Sequence, residues 1–248
     1  MRILVINPNT TASMTDKIGL AAQQAAASGT DIVAVNPAMG PVSIEGYYDE
    51  AFALPGLLQE IARGEAAGAD GVVIACFDDT GLDAARALAD IPVVGICEAA
   101  LAAAGMIATR ISVVTTLACS VAPISHLVHR YGFAERARVH AADIPVLSLE
   151  EPGSNAGALL RAKVREALQA DRSDAVVLGC AGMADLARDL SGEFGVPVVD
   201  GVAAGVKMIE ALAGLGLRTS KAGAYATPIS KTYTGVLASF APDAIVRQ

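Results

Sequence analysis

The sequence predicts an α/β fold made of two similar lobes, each a parallel sheet flanked by helices. Three observations predict it. Short β-branched runs alternate with Ala/Leu-rich segments of helical length, the pattern of strand–helix–strand units. Several of these runs are apolar almost throughout, as suits parallel strands buried on both faces. And the stretch "DGVVIACFDD" at Asp70–Asp79 returns as "DAVVLGCAGM" at Asp174–Met183, a spacing of 104 residues between Cys76 and Cys180 and between Asp70 and Asp174.

In chain order, strands are expected at Ile3–Ile6, Ile32–Val35, Val72–Ile74, Val93–Ile96, Ile111–Val114, Ala175–Leu178 and Val196–Val199. The segment "TASMTDKIGLAAQQAAASG" opens on hydroxyl residues and closes on Gly29, which are helix start and stop signals. "GLDAARALAD", "EAALAAAG", "NAGALLRAKVREALQA" and "GMADLARDLSGEFG" read as helices in the same way. Each repeat continues into a Pro-Val-Val strand, at Pro92–Val94 and Pro197–Val199. The openings match as well: "RILVINPNT" at Arg2–Thr10 and "RISVVTTLA" at Arg110–Ala118. A period this long is not that of a solenoid. It fits two lobes related by a pseudo-two-fold axis. Ligands of open parallel sheets bind beyond the carboxyl ends of the strands, so two facing lobes would share one cleft.

Composition narrows the function. The chain of 248 residues is 53% hydrophobic and carries a net charge of −8, which argues against nucleic acid or an anionic membrane as partner. No apolar run reaches the roughly 18 residues of a membrane-spanning helix. The start, "MRILVINPNTT", reads as a strand and lacks the features of a signal peptide, so a cytoplasmic protein is expected. There the four cysteines, Cys76, Cys97, Cys119 and Cys180, should be thiols. No phosphate-binding loop is present, and His126 and His129 lack partnering ligands, so no metal site is expected.

Free cysteine is usually a packing residue. Cys97 and Cys119 have no cysteine at the repeat position and are read that way. Cys76 and Cys180 differ: both sit where a strand ends and a helix is about to begin. A helix N-terminus offers unpaired N–H groups and partial positive charge, which would bring a thiolate near neutral pH and hold a developing oxyanion. Two such thiols on opposite faces of one carbon are what stereoinversion needs. One removes a proton from one face while the other delivers a proton to the opposite face, with an enolate between.

The motifs "NPNT" at Asn7–Thr10, "SIEG" at Ser43–Gly46, "CFDD" at Cys76–Asp79, "VVTT" at Val113–Thr116 and "GCAGM" at Gly179–Met183 resemble the hydantoin and allantoin racemases of the aspartate/glutamate/hydantoin racemase superfamily. The resemblance runs from residue 3 to about residue 240. It implies a cofactor-independent racemase acting at C5 of 5-substituted hydantoins, with Cys76 and Cys180 catalytic, and a homo-oligomer. It further implies that the C-terminal segment returns to the first lobe, giving lobes of 1–98 plus 207–248 and 99–206. The chain departs from the family pattern at Thr80, where proline is common; this bears on the helix start rather than the reaction. Asn9 and Thr10 follow the first strand and Thr115 and Thr116 its counterpart, each able to contact the substrate ring or simply to cap a turn. Asp78 and Asp79 could cap the helix after Cys76, or one could face a ring N–H, with at least one directed away from the sulfur. Ser43 and Glu45 lie in a loop that could reach the cleft. Ala181 and Gly182 follow Cys180, Gly182 with an N–H near its sulfur. Phe77, with Tyr47 or Tyr48, could line a pocket for the C5 substituent. Rival readings are maleate-type cis–trans isomerisation, amino-acid racemisation, malonate-type decarboxylation, which would need one cysteine, and a solute-binding protein without catalysis.

Overall fold

Residues 1–151 and 153–245 are described by a computed structural model. The first half runs β1 (Arg2–Ile6), α1 (Ala12–Ala25), β2 (Asp31–Val35), α2 (Tyr47–Ala66), β3 (Gly71–Ile74), α3 (Leu82–Leu88), β4 (Val93–Gly95) and α4 (Ile96–Ile107). The second repeats it with β5 (Ile111–Thr115), α5 (Val121–Arg130), β6 (Ala137–Ala141), α6 (Ala156–Asp171), β7 (Ala175–Gly179), α7 (Ala187–Phe194), β8 (Val198–Asp200) and α8 (Gly201–Gly214). A short α9 (Pro242–Ile245) follows. The two sheets are wholly parallel and have the same order, β2-β1-β3-β4 and β6-β5-β7-β8. The two-lobe α/β expectation is met.

The repeated aspartates explain part of that likeness. Asp70 precedes β3 and its carboxylate accepts the Arg2 N–H at 2.7 Å, while Asp70 N–H donates to the Arg2 carbonyl. Asp174 precedes β7 and does the same at Arg110, at 2.7 Å, adding the Thr109 N–H and hydroxyl. Each aspartate pins the start of the central strand beside it. Backbone hydrogen bonds at Asp174 hold its carboxyl down to about 2.

Strand residues alternate between two cores, as a period of two requires. Leu4, Ile6, Val72 and Ile74 face outward onto Leu57 and Ile61 of α2 and Leu82 and Ala85 of α3. Val114, Val176 and Leu178 face outward onto Leu160 and Val164 of α6. The alternate residues Ile3, Val5, Val73, Ile111, Val113 and Val177 all join one cluster with Ile18 of α1, Leu101 of α4 and Val206 and Ile209 of α8. That central core belongs to both sheets. Burying each such side chain contributes about 1.5–3 kcal/mol. Helix α8 leaves β8 and crosses to lie on β3; a Cβ at Gly205 would stand 2.9 Å from Val73 Cγ1, so a glycine there permits the close approach.

The chain then returns to the first lobe. Thr219 N–H donates to the Asp90 carbonyl at 3.0 Å, Lys221 Nζ to the Arg86 carbonyl at 2.8 Å, and Tyr225 Oη to Asp83 at 3.0 Å. The lobe boundaries expected at 98/99 and 206/207 fall inside α4 and α8, the helices packed between the sheets. Among the described residues no helix is long and apolar enough to cross a membrane.

Candidate active site

Both sheets direct their carboxyl ends at one cleft. Its wall brings Cys76 and Phe77 from beyond β3 together with Gly179, Cys180 and Ala181 from the end of β7. Asn7 and Asn9 beyond β1 and Thr115 and Thr116 at the end of β5 complete the symmetric set. The duplicated topology therefore puts one thiol on each side of the same space. All four cysteines are free thiols.

The chain beyond β3 turns at once: Asp79 N–H donates to the Cys76 carbonyl at 3.0 Å, and α3 begins only at Leu82. Cys76 thus lies in a turn rather than at a helix N-terminus. Cys180 immediately precedes a 3₁₀ helix, Ala181–Leu186. The expectation of thiolates near neutral pH is corrected by this setting. Burial dominates and pushes Cys76 well above the ordinary thiol range, with the Asp78 carboxylate adding to the rise. The Thr80 hydroxyl and the Asp78 N–H oppose it. Burial also pushes Cys180 up to about 11, against the Gly182 N–H and the Lys17 ammonium.

The two walls differ in charge. Beside Cys76 stand Asp78 and Asp79, both raised to about 7, chiefly by burial. Glu50 adds to the effect on Asp78. Behind Cys180, Lys17 of α1 reaches across from the first lobe. Its Nζ donates to the carbonyls of Leu149 at 3.1 Å and Gly182 at 3.3 Å and pairs with Glu150 at 3.4 Å.

The family model described as Asp/Glu/Hydantoin racemase matches residues 3–209. The chain belongs to that family. The expectation of an isomerase, drawn from the motifs, is met with it. A hydantoin racemase from Rhizobium meliloti is 50% identical over 95% of this chain and 98% of its own. A hydantoin racemase from Pseudomonas sp. (strain NS671) is 47% identical over 97% of each. The solved structure of an allantoin racemase from Klebsiella pneumoniae superposes with a TM-score of 0.95 at 51% identity, covering 98% of this chain and 99% of the other.

Within this racemase fold, the residues singled out from sequence divide into two groups. Asn9, Phe77, Asp78, Thr115, Thr116 and Ala181 line the cleft with both cysteines. Thr10, Ser43 and Gly182 do not. Thr10 N–H donates to the Pro41 carbonyl at 2.9 Å, and Ser43 Oγ donates to Glu45 at 3.3 Å. Gly182 lies behind Cys180 and aims its N–H at the sulfur. Asn9 satisfies both readings offered for it: its Oδ1 accepts the Thr11 N–H at 2.9 Å, a local turn, while its side chain borders the cleft. Tyr47 and Tyr48 are largely exposed at the start of α2, with Tyr47 Oη 3.1 Å from His126 Nδ1.

Two further corrections concern single residues. Cys97 is fully buried, as read, but Cys119 is exposed and its thiol donates to the Glu45 carbonyl at 3.0 Å. Asp79 does not cap the helix that follows it. Its carboxylate accepts the N–H groups of Cys97 and Glu98 at the start of α4, and the Tyr131 hydroxyl at 2.7 Å. Asp79 is also the aspartate that points away from the sulfur. Sequence reading missed Met14, Ile44, Ser120 and Val146, which line the cleft. Met14 sits on the buried face of α1, where helical periodicity alone marks it as core; no sequence signal distinguishes the other three.

Proposed function

We propose that the chain is a racemase of 5-substituted hydantoins, allantoin included, in which Cys76 and Cys180 transfer protons at opposite faces of C5. The observation that carries this is the arrival of two thiols from equivalent strand ends on the two sides of one cleft. The names of its hydantoin and allantoin racemase relatives support the substrate class.

One thiolate takes the C5 proton, and the C5–H electron pair moves into the adjacent ring carbonyl as an enolate. The opposite thiol then gives its proton to the other face of C5 and becomes the thiolate. The reaction ends with the two sulfurs in exchanged protonation states, so the next turnover in that direction requires proton return from solvent. Burial makes each thiolate scarce but strongly basic, which suits a weak carbon acid. Thr116 and Ser120 also line the cleft, and their hydroxyls are the donors we assign to the enolate oxygen. This chemistry calls for no cofactor. The same reading places the enzyme in the cytoplasm as a homo-oligomer; the exposed Ile229, Val236 and Leu237 of the C-terminal segment support association.

The test is direct. One enantiomer of allantoin, and of an alkyl- and a benzylhydantoin, is incubated with purified protein in D₂O, with optical rotation and deuterium at C5 followed together. Loss of rotation with incorporation of deuterium is expected. No change with any of the three overturns the reading.

A further inference from the structure

Thr80 follows the Cys76–Asp79 turn and is 2% exposed. Its hydroxyl Oγ1 is buried and meets no acceptor in full hydrogen-bond geometry, although it stands near enough to the Cys76 sulfur to favour its ionised form. A buried hydroxyl in that state is uncommon in folded proteins, where nearly every such group finds an acceptor. Valine would fill the same volume without the cost of a stranded O–H. The position is therefore explained by an acceptor that exists only part of the time.

The Cys76 sulfur is such an acceptor. A thiol is a weak acceptor, and a thiolate is a strong one. Thr80 lies four residues beyond Cys76, in the loop that folds back from the end of β3. Its hydroxyl favours the ionised form of that sulfur, and the Asp78 N–H acts in the same sense from the turn itself. The other groups facing the sulfur oppose ionisation: the Asp78 carboxylate from the same loop and Cys180 from the second lobe. Cys97 at the start of α4 also faces it, itself raised by burial and by Asp79. On the other wall the Lys17 ammonium favours the ionised form of Cys180.

We propose that Thr80 is a positioning residue for the Cys76 thiolate: its stranded hydroxyl becomes the donor that stabilises this sulfur once the proton has left. The proposal rests on the reading of Cys76 as a proton-transferring thiol. It supplies on the Cys76 wall, through a neutral dipole, what Lys17 supplies by charge on the Cys180 wall.

The experiment measures thiol ionisation and needs no substrate. Wild type, Thr80→Val, Thr80→Ala and Thr80→Ser are alkylated with iodoacetamide across pH 6 to 11, roughly the span of thiol ionisation. Modification of Cys76, Cys119 and Cys180 is read peptide by peptide, with circular dichroism to confirm folding. In the Val and Ala variants the Cys76 profile should move up by about one pH unit, so that alkylation below the midpoint slows roughly tenfold. Thr80→Ser should restore it, and the Cys180 and Cys119 profiles should stay where they are. An unmoved Cys76 profile in the Val and Ala variants overturns the proposal. So does a Ser variant that behaves like Val, because a packing role would then account for the residue. Racemase activity is assayed separately on the same variants, so a protein inactive on all hydantoins would fail the functional reading while the alkylation result stood.

Discussion

Asp79 occupies the space that a side chain at Gly95 would need: a Cβ added there would stand 2.2 Å from the Asp79 Oδ1. Gly95 pairs in register with Ile74, and Asp200 pairs in register with Leu178, so the two are equivalent positions of the two sheets. Asp200 caps α8 with its own side chain, accepting the Val202 and Ala203 N–H groups at 2.9 and 2.8 Å. In the first lobe the cap of α4 is supplied instead by Asp79, which ties the loop bearing Cys76 to the helix. Asp79→Ala should destabilise the fold by about 1–2 kcal/mol in urea unfolding, the usual cost of a lost cap, and reduce racemase activity. Adding Gly95→Asp rebuilds a cap in the manner of Asp200. Stability should recover in the double variant while activity does not, because the loop stays untethered. Recovery of both would show that Asp79 matters only as a cap.

Asp78 and Asp79 give stability a pH dependence of definite sign. Both carboxyls titrate near 7 in the folded chain, against 3.8 without burial. The folded chain therefore holds protons that the unfolded chain has released. Their contribution is full below about pH 3.8 and is lost as pH rises toward 7. Asp78→Asn should reduce the loss of unfolding free energy between pH 5 and pH 8 by roughly 1–3 kcal/mol. Chemical denaturation of the two proteins at both pH values decides it; parallel losses would contradict the assignment.

The two thiols should be separable by isotope. Cys76→Ser and Cys180→Ser should each slow racemisation by roughly 10²–10⁴-fold or more, the scale of a lost acid–base group. Each variant keeps one sulfur and should still exchange the C5 proton of one enantiomer with D₂O. The enantiomer that exchanges should differ between the variants. Exchange of both enantiomers at equal rates by a single variant would indicate a one-base mechanism.

Asp70 and Asp174 do the same work unequally. Asp70 accepts one backbone N–H, that of Arg2, whereas Asp174 accepts those of Thr109 and Arg110 together with the Thr109 hydroxyl. Asp174→Ala should therefore lower the melting temperature more than Asp70→Ala. Because the Asp174 carboxyl is held down to about 2, its contribution is present above about pH 4 and lost as pH falls toward 2. The gap in melting temperature between wild type and Asp174→Ala should close over that window.

Much of this architecture was legible because the repeat and the strand period point the same way. The Asp-to-Cys spacing marks β3 and β7, and the Pro-Val-Val runs mark β4 and β8. Strand β6 escaped notice: "ARVHA" carries Arg138 and His140 at a sheet edge, where one side of the strand has no partner and polar residues are tolerated. Helix α2 was hidden by Pro55 and Gly56. A Cβ at Gly56 would stand 2.6 Å from Pro37 Cβ, so tertiary approach rather than helix propensity selects that residue. That Cys76 and Cys180 meet at one cleft was readable from symmetry. The capping partner of Asp79 was not, since its contact to α4 spans 18 residues and depends on a left-handed backbone at Asp79, φ +46°.

The central core, shared by both sheets, has a consequence for how the molecule comes apart. Ile3 and Val5 of one sheet and Val113 and Val177 of the other are buried in the same cluster, beneath helices drawn from both halves. Neither half can close its own hydrophobic interior. The duplicated halves are thus not autonomous folding units: the chain should melt in a single cooperative calorimetric transition, and residues 1–110 expressed alone should not yield a folded protein.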